Sequence, residues 1–250
     1  MAAKVERINV LDVPVDVCNP EDLEEVILEV LAKPGTKQIV FLTVWDLLKG
    51  RNKKGDFIQC LKSADLIVPV SKSILFGAKF LKKSVPVRYN PFNAVISVLS
   101  ILENHYKTLF ILGGHKKSLL QAERNVHETF PNLSIVGRYV GYFPKPVEGD
   151  IVQAIYKSSP SLVLVSDGIK EKNLWSYRHR NDFSSSIFIY YKEAVGIFSE
   201  RIKRVSESTF DKGLEIWHEI LRNPLKILLV FPFIRFIILL VWYRLFKKNA

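Results

Sequence analysis

The chain has 250 residues, with 36 Lys and Arg against 25 Asp and Glu, and so a formal charge of +11. A hydrophobic share of 48% and a charged share of 24% match globular usage and exclude a disordered or collagen-like chain, and the length allows one large domain or two small ones. Two cysteines, Cys18 and Cys60, are too few for a disulfide scaffold, and no CxxC pair offers a zinc or redox site, which fits a reducing compartment.

The first residues, MAAKVERINV, have no apolar stretch of the kind a secretory signal needs. Asn19 is placed to cap a helix with Pro20 at its first position and Glu21 and Asp22 in the positive first turn. Gly35 follows that helix as its stop. Six short runs rich in Val, Ile, Leu and Phe come next, at 38–43, 65–70, 108–114, 133–137, 161–166 and 186–191. Stretches with helical periodicity separate them. Continuous apolar runs between helices predict strands buried on both faces, hence an α/β body with a mostly parallel sheet flanked by helices.

The basic residues of the body are scattered in pairs: Lys53–Lys54, Lys82–Lys83, Lys116–Lys117, Arg178 with Arg180, and Lys203–Arg204. Solvated helix faces account for most of them. No recognition-helix or zinc-finger pattern accompanies the charge, so a nucleic-acid partner is not expected. The five histidines have no metal-ligand spacing, and no cofactor or metal is expected.

In an open parallel sheet ligands bind beyond the carboxyl ends of the strands. Two segments there draw attention. In FILGGHKKS, Gly113 and Gly114 end a strand just before a helix that starts near His115. Such a turn lets a phosphate reach backbone N–H groups, with the helix N-terminus, Lys116 and Lys117 adding positive charge. The competing reading is a plain tight strand-to-helix turn. In IVGRYVGYF, residues 135–143, a strand runs into a loop containing Gly141, Tyr142 and Phe143. That loop either exposes the two aromatics near the same rim or buries them as a core pair.

The order of these segments resembles the WecG/TagA/CpsF glycosyltransferase family. The matching pieces are Ala64–Pro69, Ile111–Gly114, Ile135–Phe143, Lys203–Arg204, and Gly213-Leu214-Glu215-Ile216-Trp217 with Leu221 and Pro224. The resemblance implies transfer of an N-acetylmannosamine-type sugar from a UDP-sugar to a polyprenyl-diphosphate-linked N-acetylglucosamine, without a metal, at the cytoplasmic membrane face. It implies a nucleotide-sugar-binding body over residues 1–212 and a membrane-associating appendage over 213–250, with an oligomer possible. It also points to Thr43 and Arg88 as retained catalytic positions and to Gly168 as a retained substrate-binding glycine.

The chemical motifs of the family are altered here. The family's Asp-Gly after the strand-end proline, whose Asp is the expected base, reads Val70-Ser71, and valine cannot accept a proton. The family's R-x-T-G-x-D keeps Arg88 but ends in Asn93, and its later G-G-x-F-D motif is missing between Lys192 and Arg201. Two readings stay open. One is an active transferase with a displaced base, for which Asp46 and Asp167 at strand ends are the nominees; a helix cap is the plainer role for Asp46. The other is a non-catalytic relative that binds a nucleotide sugar, a glycolipid or a partner enzyme.

The tail has a different character. Residues 227–243 are apolar or aromatic except Pro232 and Arg235. A straight span needs about 20 such residues, and a central Arg is costly there. A monotopic arrangement is expected, with Phe231, Phe233, Phe236, Trp242 and Tyr243 in the membrane interface. Lys226, Arg235, Arg244, Lys247 and Lys248 would then meet the anionic membrane surface. Arg222, inside the motif that carries Trp217, is the residue that the resemblance places nearest the diphosphate. A single span and a helix packed on the body are the alternatives.

Overall fold

The computed structural model describes residues 5–213 and 230–246. Six strands form one parallel sheet in the order β4-β3-β8-β7-β5-β6. They are β3 (Lys37–Leu42), β4 (Leu66–Pro69), β5 (Thr108–Leu112), β6 (Ser134–Tyr139), β7 (Leu162–Val165) and β8 (Ile187–Tyr190). Each of the six apolar runs became a strand. The helices are α1 (Leu23–Ala32), α2 (Val44–Gly50), α3 (Asp56–Ser63), α4 (Lys72–Phe80), α5 (Pro91–Asn104), α6 (Lys116–Thr129), α7 (Glu148–Ser158), α8 (Asn173–Arg178), α9 (Ala194–Phe198), α10 (Glu207–Lys212) and α11 (Val230–Phe246).

Alternation along the strands sends side chains to two layers. Ile39 and Phe41 of β3 join a core with α1, α5, α6 and α9, whereas Val40 and Leu42 face α2, α3 and α4. Phe110, Val163 and Phe188 meet Ile151, Ile155 and Trp175 of α7 and α8 on that second side.

Two differences from the sequence reading concern the amino-terminal part. Asn19 does not cap α1. It stands instead at the start of a 3-10 turn, Pro20–Asp22, with Pro20 first and Glu21 and Asp22 in that turn as expected, but its side chain makes no capping bond and donates to Asp22 at 3.2 Å. A hairpin, β1 (Glu6–Val10) with β2 (Val13–Val17), precedes it. Buried Asp16 ties this hairpin to the sheet: it pairs with Arg7 through two hydrogen bonds of 2.7 and 2.8 Å and accepts the backbone N–H of Ile67 at 2.7 Å.

Helix α11 lies on the hairpin side of the sheet. Phe236, Leu240 and Tyr243 are buried in the core shared with α2, α4 and the hairpin. The Tyr243 hydroxyl bonds Asp12 at 2.9 Å, and Arg244 donates to the Phe80 carbonyl at 2.9 Å. The expectation that Phe236 and Tyr243 sit in a membrane interface is therefore corrected: they form the inner stripe of the helix. Phe231, Phe233, Ile234, Ile238, Val241, Trp242, Leu245 and Phe246 remain exposed on its other faces. Among the described residues no helix is long and apolar enough to cross a membrane.

Candidate functional site

The carboxyl ends of β3, β8, β7 and β5 are neighbours, and the polar groups of interest follow them directly. At the end of β3, Thr43 caps α2. Its hydroxyl accepts the Asp46 N–H at 3.1 Å, and Asp46 Oδ2 accepts the Thr43 N–H at 3.3 Å and the Thr43 hydroxyl at 2.6 Å. This reciprocal box satisfies the first-turn donors and fixes the rotamer of Asp46. One carboxylate oxygen, Oδ1, keeps no hydrogen-bond partner among the described residues. The α2 start is also joined to the β4 loop, because the Ser71 hydroxyl accepts the Val44 N–H at 3.1 Å. Asp46 thus stands beside the loop that holds Val70 in place of the expected base.

At the end of β7, Asp167 is buried. Its Oδ2 accepts the Tyr142 hydroxyl at 3.1 Å and lies 3.7 Å from the Arg201 guanidinium, while Ser166 Oγ approaches Oδ1 at 3.3 Å. Between the two carboxylates, at the end of β8, sits half-buried Tyr190. Burial pushes its phenol up to about 12, and the negative charges of Asp167 and Asp46 push the same way. Tyr190 is therefore a neutral hydroxyl near pH 7. Local desolvation of the hydroxyl, its bond to Asp167 and that carboxylate's negative charge also raise the Tyr142 phenol above its ordinary value, although the ring is exposed.

The glycines behave differently from the phosphate-cradle expectation. Gly113 N–H donates to Tyr139 O at 2.9 Å, Gly114 N–H to Asp167 O at 2.8 Å, and Gly141 N–H to Gly114 O at 2.9 Å. Their donors are taken by the protein, so the tight-turn reading is the one the geometry supports. These residues and Gly168 pack against one another: a Cβ on Gly141 would lie 2.1 Å from Asp167 O, and one on Gly168 would lie 2.6 Å from the Gly141 carbonyl carbon. Gly141→Ala is expected to cost about 3 kcal/mol of stability, read by urea unfolding, because backbone must shift to admit the methyl group. An unchanged midpoint would mean that the knot is looser than its geometry.

Tyr142 is exposed and stacks on His115, ring centroids 4.2 Å apart and nearly parallel. Phe143 instead turns inward, edge-on to Tyr139. The IVGxxxGYF loop therefore presents one aromatic and half-buries the other. Beyond His115, the first turn of α6 carries exposed Lys116 and Lys117. Its N–H groups have no partner within the helix.

Arg88 does reach the rim, but under cover. Its Nε donates to Val70 O at 2.8 Å, its Nη1 donates to the Phe210 carbonyl, and the Phe210 ring of α10 lies over the guanidinium at 3.7 Å. Asn93, where the family motif has Asp, bonds Arg204 and, at 3.3 Å, Glu207 at the start of α10. The Arg178–Arg180 segment pairs with protein groups: Arg178 with Asp56 and Glu171, His179 with Asp182, and Arg180 with the Tyr177 ring. Arg235 lines a groove of about 500 Å³ between α2 and α11, opposite Lys49, with Trp45, Leu48, Phe231 and Pro232 as apolar walls. Arg244 is engaged with Phe80. Arg222, Lys226, Trp217, Lys247 and Lys248 lie outside the described residues.

Sequence reasoning missed Tyr190, His115 and Arg201. The end of the sixth apolar run was a usable signal for Tyr190; the contacts of Arg201 and His115 are long-range and left none.

An open parallel α/β sheet with carboxylates, hydroxyls and cations gathered at one carboxyl rim is the layout of a ligand-binding α/β protein. The sequence matches the Glycosyl transferase WecG/TagA/CpsF family over residues 8–250, and the chain belongs to that family. Curated relatives include the N-acetylglucosaminyldiphosphoundecaprenol N-acetyl-beta-D-mannosaminyltransferases of Staphylococcus aureus strains NCTC 8325 / PS 47 and COL. Each is 21% identical over 148 residues, which is 59% of this chain and 58% of the relative. The enzyme from strain MRSA252 matches at the same identity and coverage. The chain thus spans less than two thirds of the length of the relatives it matches.

Proposed function

We propose that the protein transfers an N-acetylmannosamine-type sugar from a UDP-sugar to a polyprenyl-diphosphate-linked N-acetylglucosamine, at the cytoplasmic face of the membrane. The observation that carries the reading is that Asp46, Tyr190 and Asp167 follow the ends of the neighbouring strands β3, β8 and β7, where both carboxylate charges act on the Tyr190 phenol. The acceptor hydroxyl attacks the anomeric carbon, its proton passes to the open oxygen of Asp46, and the bonding electrons leave with UDP. Asp167 is held by Tyr142 and Arg201 and serves as an orienting acceptor for sugar hydroxyls. The first turn of α6, with Lys116 and Lys117, takes the leaving diphosphate in place of the occupied glycine amides.

The acceptor lipid lies in the groove between α2 and α11, its chain along Trp45, Leu48 and Phe231 and its diphosphate near Lys49 and Arg235. The exposed apolar residues of α11 rest in the membrane interface. Residues 213–250 act in this reading as a membrane-associating appendage on the 1–212 body. Calorimetry tests the donor half. UDP is expected to bind at least about tenfold more tightly than uridine, and the Lys116→Glu/Lys117→Glu double variant to lose that margin. Absence of heat with UDP contradicts the reading.

A further inference from the structure

A second recess, of about 290 Å³, with Gly50 and Ile58 in its floor, opens where the hairpin meets the far end of α2. Asn9, Asp12, Arg51, Lys53 and Lys62 line it. Asp12 is held by the Tyr243 hydroxyl at 2.9 Å and faces Lys53 at 3.8 Å. Arg51 is half-buried, its Nε is buried without any hydrogen bond, and neither Arg51 nor Lys62 pairs with a carboxylate among the described residues. That N–H is closed to solvent and to any ligand in the recess, so the terminal nitrogens of Arg51, which no carboxylate holds among the described residues, are the donors a ligand can reach. The turn above it is itself under strain. Leu11 and Asp12 both take positive φ, 53° and 68°, without a glycine, a conformation that surrounding structure must enforce.

Three cations around one occupied carboxylate select an anion, and a guanidinium fork with two ammonium groups matches the several oxygens of a phosphate. The recess is tied to α11 through Asp12 and Tyr243, next in sequence to exposed Trp242 and two residues from exposed Leu245. We infer that this recess holds the phosphate of an anionic lipid headgroup and sets the protein's preference for acidic membranes. The inference rests on the reading that the outer face of α11 meets lipid. It concerns residues that take no part in the rim chemistry.

Co-sedimentation of the full chain with vesicles tests it, using phosphatidylcholine alone and an equal mixture with phosphatidylglycerol. At about 1 kcal/mol per basic residue near an anionic surface, Arg51→Gln/Lys62→Gln lowers affinity for the mixed vesicles about 30-fold, and Lys62→Gln alone about fivefold. Binding to phosphatidylcholine stays unchanged. Lys62 is exposed, so its replacement leaves folding intact. A charge-matched control, Lys157→Gln/Lys170→Gln, loses far less.

If the parent sediments with neither vesicle, the α11 reading fails and the headgroup assignment falls with it. If the parent binds vesicles but the recess variants lose no more than the control, the inference alone is overturned. Inorganic phosphate that shifts the parent's spectrum but not the double variant's, with vesicle preference unaltered in both, marks a free-phosphate site and also overturns the lipid assignment.

Discussion

Asp46→Asn is expected to lower the rate of sugar transfer by about 10²–10⁴-fold while leaving the KM for the UDP-sugar nearly unchanged. The reason lies in how Asp46 is held. Its Oδ2 is locked by the Thr43 backbone and hydroxyl, which leaves Oδ1 without a hydrogen-bond partner among the described residues and able to accept a proton. Asparagine preserves the helix-start contacts, because its side-chain oxygen still accepts from Thr43, but it cannot take a proton. Thermal stability should therefore shift little while turnover collapses. Asp167→Asn is expected to cost less, since both of its oxygens already engage protein groups and its role is orientation. If Asp46→Asn keeps parental turnover, the displaced-base mechanism is wrong.

The second large effect separates the two sides of α11. Ile238→Ser/Trp242→Ser/Leu245→Ser removes three exposed apolar side chains and should weaken vesicle binding by at least about 10³-fold, at about 1.5–3 kcal/mol for each side chain buried in lipid. Folding stability should stay within about 0.5 kcal/mol, because these side chains sit outside the core. Phe236→Ala and Leu240→Ala are expected to do the reverse. Both side chains are buried against the hairpin and α4, and the end of the Phe236 ring would lie 2.8 Å from a Cβ on Gly77. Each should cost about 2–5 kcal/mol of stability. Deleting residues 225–250 would remove both faces at once, so release from liposomes after that deletion reports lost core packing as well as lost anchoring. Vesicle binding that survives the triple serine variant would contradict a membrane-facing α11.

The parallel sheet was legible because a strand buried on both faces must be apolar at every position, and β3, β5, β7 and β8 satisfy that almost without interruption. The hairpin escaped notice because its turn is Leu11-Asp12, without the glycine or asparagine that usually announces such a turn. The two faces of α11 were illegible for a related reason. A helix apolar nearly all round has no periodicity to show which stripe packs on protein, and Phe236 and Tyr243 were therefore placed in the membrane interface. At the rim, the Thr43-x-x-Asp46 spacing carried the capping box, as its plainer reading allowed. The phosphate and tight-turn readings of the glycines stayed open because a sequence names a flexible backbone but not its partners; Tyr139 and Asp167 carbonyls occupy those amides and favour the turn. Arg88 was recognised, whereas its cover by Phe210, far along the chain, could come only from tertiary structure.

The most direct test is mass-spectrometric detection of a hexosamine moved from UDP-N-acetylmannosamine to polyprenyl-diphosphate-linked N-acetylglucosamine in acidic vesicles. The account predicts a disaccharide-lipid that requires both substrates and fades with Asp46→Asn. UDP bound with parental affinity and no disaccharide-lipid formed would contradict it and leave a binding protein in place of a transferase.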